Sequence, residues 1–148
     1  MPKWLDIAYG EIGVKEIQGE EDNPRILEYH STCLLHATSD EISWCSAFVN
    51  WCILKAGMEP TRSAAARSWL TWGRPLAIPE PGAIAVFQRG SSSWQGHVGF
   101  FLAYEGRGIK ILGGNQSDQV KISVYPTAQL LGYRWPTGEP ERLNPIGI

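Results

Sequence analysis

A thiol, an imidazole and a side-chain amide occur in this chain in an order suited to nucleophilic attack on an acyl carbonyl: Cys45, His97, and the neighbours Asn115 and Gln116. A thiol becomes a nucleophile where its surroundings favour the thiolate, and an imidazole within reach takes the proton and returns it to the leaving group. A polar group then holds the imidazole in one tautomer and one orientation. The apolar run after Ser43 predicts a helix from about Trp44 to Ala56, with Ser43 as N-cap and Gly57 just past its end. Cys45 falls in its first turn, where unpaired N–H groups and the helix dipole favour negative charge. Cys45, Phe48, Val49, Cys52 and Ala56 share one face of this helix, which turns the thiol inward.

Of the three histidines, His30 and His36 lie in the helical half near a loop and read as surface or cap residues. His97 follows Gly96 and opens the apolar segment His97-Val98-Gly99-Phe100-Phe101-Leu102, where a polar ring at a strand mouth needs a reason. Glu105-Gly106-Arg107-Gly108 supplies turn chemistry, so 97–104 and 109–113 form an antiparallel hairpin. A turn centred between Gly106 and Arg107 sets His97 opposite residue 115 or 116. Either amide oxygen can accept from the imidazole, and a bulge at Gly113-Gly114 shifts the register by one. Counting along the hairpin slightly favours Gln116.

These residues need a scaffold. Residues 2–12 read as a first helix ended by Gly13, Asn23-Pro24 opens a second that fades near Ser31, and 63–72 form one more short helix. Pro75, Pro79 and Pro81 interrupt regular structure. From Gly82 the apolar period falls to two, and 83–88, 97–104, 109–113, 120–125 and 131–135 read as strands. Helices first and a meandering sheet second indicate an α+β fold with N-terminal helices packed on a C-terminal antiparallel sheet, and the order Cys45, His97, Asn115/Gln116 on helix, strand and adjacent strand resembles the arrangement of papain-like folds. A single catalytic domain is expected, with a core over about 2–136 and a C-terminal tail over 137–148.

At 148 residues, with 43% hydrophobic and 19% charged residues, the chain is of a size and composition to bury a core. A net charge of −2 and scattered Lys and Arg argue against nucleic acid as a partner. Met1-Pro2-Lys3-Trp4 leads into an amphipathic segment, and no apolar run long enough for a membrane span is present, so a product made in the cytoplasm is expected. The three cysteines, Cys33, Cys45 and Cys52, are too few for a disulfide framework. Seven tryptophans are many for this length, which invites a search for binding rings. Trp94, in the loop 91–96 beside His97, is placed to pack against a sugar or peptide; Trp44 and Trp51 read as core or site wall.

Asp40-Glu41-Ile42-Ser43-Trp44-Cys45-Ser46-Ala47-Phe48-Val49-Asn50-Trp51-Cys52, Pro81-Gly82-Ala83-Ile84-Ala85-Val86-Phe87, Gly96-His97-Val98-Gly99 and Gly113-Gly114-Asn115-Gln116 together resemble the cysteine, histidine-dependent amidohydrolase/peptidase (CHAP) family and its NlpC-type relatives. Glu11-Ile12-Gly13-Val14-Lys15-Glu16 and Asn23-Pro24-Arg25-Ile26 are similar to small bacterial and phage members, and the likeness extends over nearly all of 5–135. The resemblance implies a peptidoglycan hydrolase with Cys45 and His97 as the catalytic pair. It favours Asn115 as the third member, leaving Gln116, with Trp44 and Trp94, to contact substrate. Many CHAP domains carry a glutamate two positions before that asparagine, where this chain has Gly113. Some members bind calcium through acidic loops; residues 19–23 lack the alternating ligand spacing of such a loop and read as a solvated turn into a helix cap, so no metal or other cofactor is expected. The scissile bond is left open between the muramoyl-L-alanine amide and a bond within the stem peptide. A papain-like protease or acyl transferase acting on proteins, or a wall-binding module without catalysis, are the alternatives. A wall substrate would require release or delivery, as for a phage lysis enzyme or an antibacterial effector, and an immunity or delivery partner is left unnamed.

Overall fold

The side chain of Asn23 accepts a hydrogen bond from the Arg25 N–H at 2.8 Å, and Pro24 takes the first helical position, where its missing N–H costs nothing. Helix α2, Pro24–His30, therefore starts where these two residues dictate. It is preceded by α1, Lys3–Tyr9, and followed by α3, Cys45–Lys55. The computed structural model describes residues 1–17, 22–34 and 43–139. His36, most of the acidic loop at 19–23 and the tail beyond residue 139 lie outside the described residues.

Helix α3 departs from the expected one-faced pattern. Every residue from Cys45 to Ile53 is buried, because α1 and α2 cover one side of the helix while strands cover the other. A helix enclosed on all sides has no polar face to display. Its buried polar residues are bonded instead: Ser46 Oγ donates to Ser63 O at 2.7 Å, and Asn50 Nδ2 donates to Ser46 O at 2.8 Å and to Ser63 O at 3.1 Å. A 3-10 helix at Ala66–Thr71 stands where a short helix is expected.

Six antiparallel strands follow: β1 Arg74–Leu76, β2 Ile84–Gln88, β3 Gly96–Glu105, β4 Gly108–Gln116, β5 Gln119–Pro126 and β6 Leu130–Trp135. Their order in the sheet is β1-β6-β2-β3-β4-β5, and α3 packs on β3 and β4. This is the α+β arrangement expected, with one addition. Strand β1, three residues with Pro75 at its centre, pairs with β6 at the sheet edge, the place where a proline's missing donor is tolerated.

The connection from β5 to β6 fixes the shape of the sheet. Only Thr127–Gln129 separate the two strands, a reach of about 10 Å, yet β6 begins beside Phe87 of β2, three strands away from β5. The sheet must curl until the end of β5 returns to the Phe87 corner. The rings of Phe87 and Tyr125 accordingly stand 5.2 Å apart.

Candidate active site

Cys45 is the first residue of α3 and is buried. The residue capping the helix is Trp44 and not Ser43, and no side chain caps the turn; the Ser43 hydroxyl instead accepts from Asn115 Nδ2 at 3.2 Å. Burial pushes the Cys45 thiol up, but the hydrogen bond and charge of His97 outweigh it, aided by the Val98 N–H and the positive charge of Arg89, so the thiol titrates below its ordinary range. The other two thiols move the opposite way, Cys33 and Cys52 both being raised chiefly by burial.

His97, on β3, is buried and meets Gln116 through Nε2, 2.8 Å from the amide oxygen. Both amide hydrogens of Gln116 are committed, to Lys121 O at 2.6 Å and Ile111 O at 3.2 Å. The oxygen is therefore the atom turned to the ring, Nε2 carries the proton, and Nδ1 is left for the Cys45 sulfur. The structure thus brings Cys45 and His97 together as the sequence suggests and corrects the choice of partner. Asn115 does not touch the ring. Its backbone is left-handed, with φ of 58°, and the β4–β5 register shifts between Gly113 and Gln116. This kink turns Asn115 outward to Ser43 and Gln116 inward to His97. Gln116, expected to contact substrate, is instead buried with its amide oxygen and both amide hydrogens engaged within the fold.

Two glycines make room for this arrangement. A Cβ at Gly113 would stand 2.5 Å from Gln116 Oε1 and 3.4 Å from His97 Nε2, so the space a glutamate would need there is filled by the Gln116 amide. A Cβ at Gly114 would stand 2.7 Å from both the Phe48 Cβ and the Trp44 ring. Trp44 itself is fully buried, stacked on Tyr29 at 5.7 Å with its Nε1 donating to Glu16 at 3.3 Å. It belongs to the core.

Two residues that sequence reasoning passes over stand at the site. The ring of Tyr125 stacks on His97 with centroids 4.6 Å apart and planes 21° from parallel, reached through the curl of the sheet. Burial and then the negative charge of Cys45 push its hydroxyl up to about 12, with Arg89 opposing. The other is Arg89, just past the end of β2. Together with Ser43, Cys45, Ala65, Trp94 and Gln95 it lines a cleft of about 170 Å³. Trp94 is 74% exposed there. Its loop is held by Arg67, which donates from Nε to Gln95 O at 2.9 Å and from Nη2 to Ser92 O at 2.6 Å. A larger recess, about 870 Å³ along residues 13–17 and 117–119, contains none of the three chemical groups. Strand periodicity would place Tyr125 on β5 but says nothing of closure, and Arg89 carries no motif.

The family model of the CHAP domain matches residues 37–115, more than half of the chain. No curated protein matches. Among solved structures, a Staphylococcus aureus subsp. aureus Mu50 protein described as similar to a lipoprotein of the NLP/P60 family is similar in fold, with a TM-score of 0.56 and 19% identity. The match covers 93% of this chain and 41% of that one, so this chain spans less than half the length of that relative. The family-model match over more than half of the chain, with the helix-borne cysteine and the strand-borne histidine, decides the matter: the chain belongs to the CHAP domain family, a peptidoglycan-related hydrolase family.

Proposed function

We propose that this protein hydrolyses an amide bond of peptidoglycan through Cys45, His97 and Gln116. The observation that carries this reading is a thiol held below its ordinary range at the start of a helix, bonded to an imidazole whose far nitrogen is fixed at 2.8 Å by Gln116. His97 Nδ1 takes the thiol proton, and the thiolate attacks the amide carbon. The oxyanion that forms is stabilised by the Cys45 N–H, one of the first helical donors that lack an intrahelical partner. His97 protonates the departing amine as the C–N bond breaks, leaving a thioester on Cys45. His97 then deprotonates a water molecule that attacks the thioester, the C–S bond breaks, and the thiol is restored. The wall lies outside the cytoplasm, so the chain acts once it has reached that compartment.

The test is digestion of purified peptidoglycan followed by mass analysis of the released fragments. A new amine end on L-alanine marks a muramoyl amidase, and a new amine within the stem marks an endopeptidase. Absence of new ends, or equal release by Cys45→Ser, overturns the reading.

A further inference from the structure

Among the described residues, the cleft at Cys45 holds one charged side chain, Arg89, with neutral neighbours. Its guanidinium makes no hydrogen bond or ion pair with any described residue. Arg67 nearby is different, both of its donor groups being spent on the backbone of the 91–96 loop. An uncommitted guanidinium beside the nucleophile presents a planar fork suited to a carboxylate, flanked by the exposed Trp94 ring.

We propose that Arg89 is a specificity residue that reads a free carboxylate on the substrate next to the scissile amide, so that the preferred substrate is an acidic acyl peptide. This rests on the wall-hydrolase reading and narrows it. Stem peptides supply such a group in two ways: a γ-linked glutamyl residue keeps its α-carboxyl free, and the peptide ends in a C-terminal carboxylate. Amidation removes the charge from either while leaving the shape nearly unchanged. The positive charge of Arg89 also favours the Cys45 thiolate, so an anion seated on Arg89 partly neutralises that support. The benefit of the contact therefore falls on binding, in KM, more than on kcat.

The experiment compares soluble stem peptides identical except that the γ-linked glutamyl α-carboxyl is free or amidated, and a second pair differing only in a free or amidated C-terminus. Each is assayed with the full-length wild type, Arg89→Gln and Arg89→Lys. The wild type is expected to favour the free carboxylate of one pair by about tenfold or more in kcat/KM, mostly through KM. Arg89→Gln should bring that ratio to about one, whatever its absolute rates. Arg89→Lys should keep part of it, and the preference should weaken with added salt. The pair that shows the effect identifies the carboxylate. A wild-type ratio near one for both pairs, or the same ratio in Arg89→Gln, overturns the proposal while leaving the hydrolase reading intact. No cleavage of any peptide or of intact peptidoglycan overturns both.

Discussion

Replacing Gln116 by alanine should be more damaging than replacing Asn115, and the structure sets the scale. Gln116→Ala removes three hydrogen bonds, two buried and one part-buried: the bond to His97 Nε2 at 2.8 Å, that to Ile111 O at 3.2 Å and that to Lys121 O at 2.6 Å. At roughly 0.5–1.5 kcal/mol net for each, the loss in stability is about 1.5–4.5 kcal/mol, within what a small domain can bear. Freed of its acceptor, the ring loses its fixed tautomer and its alignment with the thiol, which should lower kcat by about ten- to a hundredfold in the folded fraction. Gln116→Asn should not rescue it, because its side chain is about 1.5 Å shorter and stretches the bond beyond reach. The comparison variant is Asn115→Gly, which removes the exposed bond to Ser43 while accepting the φ of 58° without strain. It should keep kcat within about threefold. Thermal melts quantify the folded fraction, and initial rates on solubilised peptidoglycan give kcat. If Gln116→Ala stayed within twofold of wild type while Asn115→Gly lost tenfold, the assignment of the orienting residue would be wrong.

Further outcomes follow from the same geometry. Cys45→Ala and Cys45→Ser should fold and lose activity, whereas Cys33→Ala and Cys52→Ala should remain active. In the wild type, iodoacetamide at pH 7 should label Cys45 before Cys33, as read by peptide mass mapping; the reverse order would contradict a lowered thiol. Since folding lowers the pKa of Cys45, the stability it contributes is full above the unfolded value of 9.0 and is lost as pH falls through the folded value. Melting curves of wild type and Cys45→Ala should therefore converge toward acid. Tyr125→Leu removes the ring stacked on His97 and should slow turnover by about two- to thirtyfold and raise the pH midpoint of Cys45 alkylation, while Tyr125→Phe should retain both. Gly114→Ala forces a Cβ to 2.7 Å from Phe48 and Trp44 and should destabilise the fold by about 1–3 kcal/mol in a urea titration.

What could be read from the sequence was local. Asn23 and Pro24 contain the chemistry that starts α2, and the apolar alternation after Gly82 locates the long strands. Cys45 at a helix start and His97 at a strand start are likewise properties of short segments. The orienting amide was legible only in part: hairpin counting leaned to Gln116 and the family resemblance to Asn115, and the choice turns on a bulge in β3 between Phe101 and Ala103 and on the left-handed turn at Asn115, each of which moves the register. Strand β1 escaped notice because a three-residue edge strand centred on proline has no periodicity to detect. Tyr125 was hidden for a further reason. Its contact with His97 arises from the closure of the sheet, which follows from the shortness of one link and is written in no single strand.

That closure bears on when during synthesis the thiol becomes reactive. Cys45, His97, Gln116 and Tyr125 belong to α3, β3, β4 and β5, and the ends of the sheet meet only after β6 docks on β2 beside Phe87. A ribosome-bound chain that has emerged only as far as residue 115 spans everything the family model matches but lacks both the amide that orients the imidazole and the ring that backs it. In such a chain Cys45 is an ordinary thiol. Contacts this distant in sequence form late, since loop-closure entropy must be met before they give anything back. Reactivity should thus appear in one step as the last strand is added, and the rate of Cys45 alkylation on stalled nascent chains of increasing length would mark that step.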